Sequence, residues 1–397
     1  MSDAEKKIEE LQEEFLSVEA FLKSFPKSPM AKEMRIRLDE LNSLINTGGG
    51  AVIAHDVNTK GGDFAGRDLY KISLSEKYWR ILHRPPTDDE KEAAQRYLNY
   101  LFDRHRYLNF RGMGVSDRIP LKLPLLDIYV PLKARQELPE GETWKRAHLG
   151  GRELTDEEGE SLRMSEPQPV LEILQKQSGL VILGDPGSGK TTFLKYLTLM
   201  LASGAGEELG LGERLPILVP LSACANALTN GKSIRLDDFI ADYFHESGSN
   251  LPIATMLSES LKAGATLILF DGLDEVKEVG LRQTVVDRVS DFYNLHRRAG
   301  NKFLITSRVI GYRDVRPSAE GLGESTLVDF DEEEIATFVE HWVIALEKQA
   351  QGESLVAQND AKREHDELLE AITHNPGVRR LASNPLLLTI LALMKRQ

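Results

Sequence analysis

Gly184-Asp185-Pro186-Gly187-Ser188-Gly189-Lys190-Thr191-Thr192 decides the fold of this chain. It fits the phosphate-loop pattern G-x-x-x-x-G-K-[ST]. The apolar run Leu180-Val181-Ile182-Leu183 reads as a buried strand leading in. Thr191 to Leu201 reads as a helix leading out, with Phe193, Leu194, Leu197 and Leu201 at helical spacing. Glycines let such a loop curl so that its N–H groups face phosphate oxygens, and the positive end of the following helix adds to the attraction. Lys190 would reach the β- and γ-phosphates, and Thr191 would offer its hydroxyl to Mg²⁺.

Downstream the pattern alternates between strand and helix. Ile217–Val219, Thr266–Phe270 and Lys302–Thr306 read as strands, with Thr326–Val328 as a last short one. Asp237–Phe244, Met256–Leu261 and Leu281–Arg297 read as helices. The expected fold is α/β: a parallel-sheet P-loop NTPase core with helices on both faces. Ligands of such sheets bind beyond the carboxyl ends of the strands.

Two strand ends carry further chemistry. Leu267-Ile268-Leu269-Phe270-Asp271 is an apolar strand ending in a carboxylate, the Walker B arrangement, so Asp271 is a candidate Mg²⁺ ligand. Many related ATPases place a water-orienting glutamate directly after that aspartate. Here Gly272 stands there, and the base role shifts to Asp274 or Glu275, with Asp274 preferred. Three carboxylates beside a triphosphate repel it unless a metal is present, which again points to Mg²⁺. Lys302-Phe303-Leu304-Ile305-Thr306-Ser307-Arg308 ends in an arginine that would sense the γ-phosphate.

The rest of the chain bounds the function. Its 397 residues allow two to four domains. A net charge of −13 argues against bulk electrostatic binding to nucleic acid or to an anionic membrane. The single Cys224 excludes an internal disulfide framework and suits a reducing compartment. The acidic N-terminus has no apolar signal region, and the stretch Pro385–Met394 is too short to span a bilayer. A cytoplasmic protein is the expectation.

Five segments emerge. Residues 1–47 carry two apolar seams, Ile8-Leu11-Phe15-Val18-Leu22 and Met34-Leu38-Leu41-Ile45, and read as amphipathic helices. Residues 48–75 are Gly-rich and read as short strands broken by turns. Residues 76–165 read as a connector, with a helix from Asp88 to Phe110 after Thr87, a strand over Leu125–Val130, and a surface loop from Glu137 to Glu166. Residues 166–330 are the α/β core. Residues 331–397 are helical, with Glu332–Glu347, Glu367–Thr373 and Gly377–Leu381 as helices and an apolar stretch after Pro385.

Gly184–Thr192 with its Asp185-Pro186-Gly187 interior, Asp271-Gly272-Leu273-Asp274-Glu275 and Thr306-Ser307-Arg308 together resemble a NACHT domain. This is the nucleotide-oligomerisation module of STAND-class signalling ATPases, and the resemblance covers residues 170–397. It implies that Pro385 is set against the adenine base; many relatives carry Gly-x-Pro where this chain has Ser383-Asn384-Pro385. Gly61–Asp68 resembles an N-terminal element of bacterial NACHT proteins. The resemblance further implies ADP held in a closed monomer, exchange for ATP on a trigger, self-association in the ATP-bound state, and a role in bacterial antiphage defence. The family's winged-helix and sensor regions would follow residue 397, so the chain is expected to stop before them.

Three function classes compete. The first is an ATP/ADP switch with slow hydrolysis that controls oligomerisation and signalling through a trigger and an effector the sequence does not name. The second is a working remodelling ATPase, against which Gly272 counts. The third is a non-catalytic interaction scaffold, against which the intact motif set counts.

Overall fold

Leu180, Val181, Ile182 and Leu183 are all buried, which dictates what can lie beside them. A strand with no polar face needs cover on two sides, and parallel sheets obtain it from crossover helices. A computed structural model describes residues 72–82, 85–108, 110, 122–136, 166–229, 235–246, 253–317, 319–352 and 355–395. All of these belong to one compact unit, Ile72–Gln397. The seams expected in residues 1–47, residues 48–71 of the Gly-rich segment expected over 48–75, and residues 137–165 of the loop expected over 137–166 lie outside the described residues; residues 72–75 form no strand.

The strands are β1 (Lys133–Arg135), β2 (Gln168–Pro169), β3 (Gly179–Leu183), β4 (Leu215–Pro220), β5 (Thr266–Asp271), β6 (Lys302–Ser307) and β7 (Leu322–Leu327). They form one sheet in the order β2-β1-β7-β3-β6-β5-β4. The five strands from β7 to β4 run parallel, while β1 lies antiparallel to β7 and to β2. The expected α/β P-loop architecture is therefore the observed one.

Helices cover both faces. In chain order they are α1 (Glu76–Ile81), α2 (Asp88–His105), α3 (Leu125–Ile128), α4 (Val170–Lys176), α5 (Lys190–Ala202), α6 (Leu221–Thr229) and α7 (Leu236–Glu246). Then follow α8 (Ala254–Ala263), α9 (Val279–His296), α10 (Val309–Asp314), α11 (Glu332–Gln351), α12 (Leu355–His374), α13 (Pro376–Ala382) and α14 (Pro385–Lys395). Alternate strand residues divide between two cores, as the period of two demands. Val181, Leu183, Ile268, Phe270, Phe303 and Ile305 pack with Tyr97, Leu98 and Leu101 of α2 and Val285, Val289 and Phe292 of α9. Leu180, Ile182, Leu267, Leu269 and Leu304 pack with Phe193, Leu194 and Leu197 of α5 and Val339 and Trp342 of α11. Each of these burials stabilises the fold by about 1.5–3 kcal/mol before the ordering entropy is counted.

Several boundaries depart from the sequence reading. Leu125–Val130, expected as a strand, begins with the single helical turn α3. Leu125 and Ile128 are buried and three apart while Leu126 and Asp127 are half-exposed, which is the spacing of a helical turn and not of a strand. Helix α2 starts at Asp88 behind the expected Thr87 cap, where Thr87 and Glu90 form a capping box, but it ends at His105 and not at Phe110. There the chain turns back, and Tyr107 bridges to Pro124. The last strand is longer than Thr326–Val328 and lies inside the sheet, between β1 and β3.

The segment read as a connector is built into the core. Tyr97 is fully buried and its hydroxyl donates to the Pro216 carbonyl of β4 at 2.7 Å. Buried Tyr78 of α1 shares a hydrogen bond with Ser260 of α8. No described helix is long and apolar enough to cross a membrane.

Candidate nucleotide site

The sheet brings the carboxyl ends of β3, β5 and β6 side by side. Gly184–Gly189 leaves β3 as a loop whose turn needs positive φ at Gly187 (79°) and Gly189 (90°), the left-handed region that glycine occupies without strain. Lys190 opens α5 and folds back across the loop. Its Nζ donates to the carbonyls of Gly184 and Asp185, both at 2.8 Å, and to Ser188 Oγ at 3.3 Å. Burial lowers the pKa of Lys190, with Asp274 and the other nearby carboxylates opposing the shift. Asp185 and Pro186 are exposed, Ser188 is buried, and Thr192 follows Thr191 in the first turn of α5.

Asp271 closes β5. Thr191 Oγ1 donates to Asp271 Oδ1 at 3.1 Å. Thr306, at the end of β6, donates to the same oxygen at 2.7 Å and accepts from the Gly272 N–H at 2.9 Å. Gly272 has φ of 72°, and a Cβ there would lie 2.8 Å from Glu275 Cδ. The chain must therefore turn sharply after Asp271, and a 3₁₀ turn over Leu273–Glu275 follows. That turn swings Asp274 and Glu275 back to the strand ends, which accounts for glycine at the position next to the aspartate.

The two carboxylates have different partners. Asp274 is held by Arg308 through both oxygens: Oδ1 accepts the Arg308 backbone N–H at 2.9 Å, and Oδ2 lies 3.0 Å from Nε. Gly311 of α10 packs so closely that a Cβ would meet Asp274 Cβ at 2.6 Å. Glu275 accepts a long hydrogen bond from Ser222 at 3.5 Å. Burial raises its pKa first, and the negative charges of Asp271 and Asp274 add to the shift.

These residues line one cleft of about 460 Å³, within the range of small-molecule sites. Its polar lining includes Lys190, Thr191, Asp271, Asp274, Glu275, Thr306 and Arg308. Its apolar lining includes Tyr129, Val130, Leu132, Phe330, Phe338, Pro385 and Leu386. Tyr129 is stacked on Tyr196, with ring centroids 3.7 Å apart. The expected site residues from Pro186 to Thr192, with Asp271, Asp274, Glu275, Arg308 and Pro385, thus meet at one place; Gly184 and Asp185 contribute the carbonyls under Lys190.

The sequence reading did not assign Thr306, Ser222, Asn384 or Lys195. Lys195 follows Lys190 by five residues on α5 and lines the cleft, with its pKa lowered by burial and the opposing charge of Asp271 acting against the shift. Asn384 caps α14, accepting through Oδ1 from the N–H groups of Leu386 and Leu387.

The donor set can be tested against a metal. Among the described residues no group of three His, Cys, Asp or Glu side chains could hold a metal ion by itself. One hydroxyl and one carboxylate, Thr191 and Asp271, stand together beside the phosphate loop. That suits Mg²⁺, which takes one or two protein ligands plus substrate phosphates, and these residues fit it.

A parallel sheet with a glycine loop at a helix N-terminus, and with a hydroxyl, an aspartate and an arginine at adjoining strand ends, defines a P-loop NTPase-type site. Residues 178–345 match the NACHT domain, a P-loop NTPase family. The match runs from just before β3 into α11. No curated protein matches the chain.

Proposed function

We propose that this chain is an ATP/ADP switch that hydrolyses ATP slowly and couples the bound nucleotide to self-association and signalling. The observation that carries the reading is the convergence of Lys190, Thr191, Asp271, Asp274, Glu275 and Arg308 on one cleft that also has an apolar lining. The polar groups suit a triphosphate, and the apolar lining, Pro385 among it, suits a nucleobase.

Each residue has a role in this reading. The backbone N–H groups of Gly187–Thr192 hold the phosphates, and Lys190 turns from the loop carbonyls to the β- and γ-phosphates. Thr191 and Asp271 would hold Mg²⁺, which neutralises charge on the phosphates when bound. Glu275 is the better base, because Asp274 Oδ1 stays tied to the Arg308 backbone N–H at 2.9 Å even when the guanidinium moves, whereas Glu275 accepts a long hydrogen bond from Ser222. It takes a proton from the water that attacks the γ-phosphorus as the bond to the β–γ bridging oxygen breaks, leaving ADP and phosphate. Arg308 exchanges Asp274 for the γ-phosphate, so ATP and ADP give it different partners. A base displaced by one turn from its usual place favours slow turnover.

The resemblance to bacterial NACHT proteins supports antiphage defence in the cytoplasm as the setting. Steady-state phosphate release under saturating MgATP tests the mode of action. A switch turns over below about one cycle per second, whereas many cycles per second would favour a remodelling ATPase.

A further inference from the structure

The tip of the phosphate loop is gripped from outside by the last described helix. Asn384 Nδ2 donates to the Pro186 carbonyl at 3.1 Å. The Leu386 N–H, a first-turn amide of α14, donates to the Gly187 carbonyl at 3.1 Å. The approach is close: a Cβ on Gly187 would lie 2.7 Å from Leu386 Cβ and 2.8 Å from Asn384 Oδ1. One side chain thus performs two tasks. Asn384 Oδ1 caps α14, while its amide nitrogen holds a loop roughly two hundred residues earlier in the chain.

We propose that Asn384 is a positioning residue of the nucleotide site, a deepening that rests on the ATP/ADP reading above. In a planar trans peptide the carbonyl and the following N–H point in opposite directions. Holding the Pro186 carbonyl against α14 therefore turns the Gly187 N–H away from α14 and toward the inside of the loop. Holding the Gly187 carbonyl fixes the next peptide plane likewise. Two peptide planes of the loop are then fixed before phosphate arrives, which leaves the Ser188 N–H, bonded to the Asp185 carbonyl at 3.2 Å, and Lys190 to turn, and the total reorganisation is reduced.

The same contacts couple the two parts of the chain. If docking of α14 improves nucleotide affinity, nucleotide must stabilise the docking of α14 by the same factor. Phe330 strengthens the link, since its N–H donates to the Ser383 carbonyl at 2.8 Å beside the start of α11. The presence of nucleotide is thereby transmitted to the helical region through Asn384 as well as through the base.

Asn384→Ser and Asn384→Asp test this. Both keep a side-chain oxygen able to cap α14, and both remove the amide donor to Pro186. Calorimetry with ADP and with MgATP gives affinity, and hydrogen exchange over residues 385–395 gives the response of α14. The expected result is wild-type melting behaviour, affinity weakened about five- to tenfold for both nucleotides, and a diminished gain in α14 protection on adding ADP. Affinity and α14 response equal to wild type in both variants overturn this proposal alone. A wild-type chain that binds neither nucleotide overturns the nucleotide reading and this proposal with it.

Discussion

Thr306 and Asp271 are joined by a 2.7 Å hydrogen bond, and the same Thr306 hydroxyl accepts the Gly272 N–H at 2.9 Å. The register of β5 and β6 makes this possible, because Phe270 pairs with Ile305 and the next residues lie side by side. One buried hydroxyl therefore fixes both the carboxylate proposed to hold Mg²⁺ and the turn that carries Asp274 and Glu275.

Thr306→Val keeps the shape and removes the hydroxyl. The Gly272 N–H loses its buried partner, and urea unfolding is expected to show a loss of about 1–3 kcal/mol. ATP affinity should lose part of its dependence on Mg²⁺, since Asp271 loses its 2.7 Å hydrogen bond and keeps the longer one from Thr191. Thr306→Ser should restore both; a valine variant with wild-type stability and Mg²⁺ dependence contradicts the role.

Gly272→Ala places a side chain in the left-handed region and against Glu275. The strain alone costs about 1–2 kcal/mol. Displacement of Glu275 should slow single-turnover hydrolysis while leaving ADP affinity nearly unchanged. Equal loss in hydrolysis and in ADP affinity would show that Gly272 serves the whole site and not the turn.

Glu275 gives a pH dependence with a definite sign. Its folded pKa is raised by burial and then by Asp271 and Asp274, so the native state favours the protonated acid. The stabilisation is present below the unfolded pKa and is lost as pH rises through the folded one. In the nucleotide-free protein Glu275→Gln should therefore raise the melting temperature at neutral pH, with a gain that shrinks toward pH 4. With Glu275 in the proposed role of base, hydrolysis should fall on acidification at a pH above that of an ordinary glutamate. A gain that grows toward low pH would contradict the assignment.

Tyr97 tests whether α2 belongs to the catalytic core. Tyr97→Phe leaves the Pro216 carbonyl without its side-chain donor and should cost about 1 kcal/mol; Tyr97→Ala opens a cavity and should cost about 3–5 kcal/mol. Urea unfolding followed by fluorescence reads both. No change in the alanine variant would mean that α2 is not coupled to the sheet.

The legible parts of this chain are those written in contiguous residues. Leu180–Thr192 reads as strand, loop and helix because its apolar period and its glycines are local. Asp271 was visible for the same reason. Thr306, Ser222 and Asn384 act through contacts set by sheet register and helix docking, which no local pattern encodes. β1, β2 and the first half of β7 were hidden because Lys133-Ala134-Arg135, Gln168-Pro169 and Leu322-Gly323-Glu324 lack the apolar run that marks a buried strand. Glu324 is accommodated there by the Tyr312 hydroxyl at 2.7 Å, a partner from another element.

The nucleotide retained by purified protein tests the central claim most directly. Heat-released ligand from wild type and from Lys190→Ala can be identified and quantified by ion-exchange chromatography. The account predicts ADP or ATP from the wild type and neither from the variant, because Lys190 is the cation within Gly184–Thr192 that is proposed to reach the phosphates. Equal retention by the two proteins would contradict the assignment of Gly184–Thr192 as the nucleotide site.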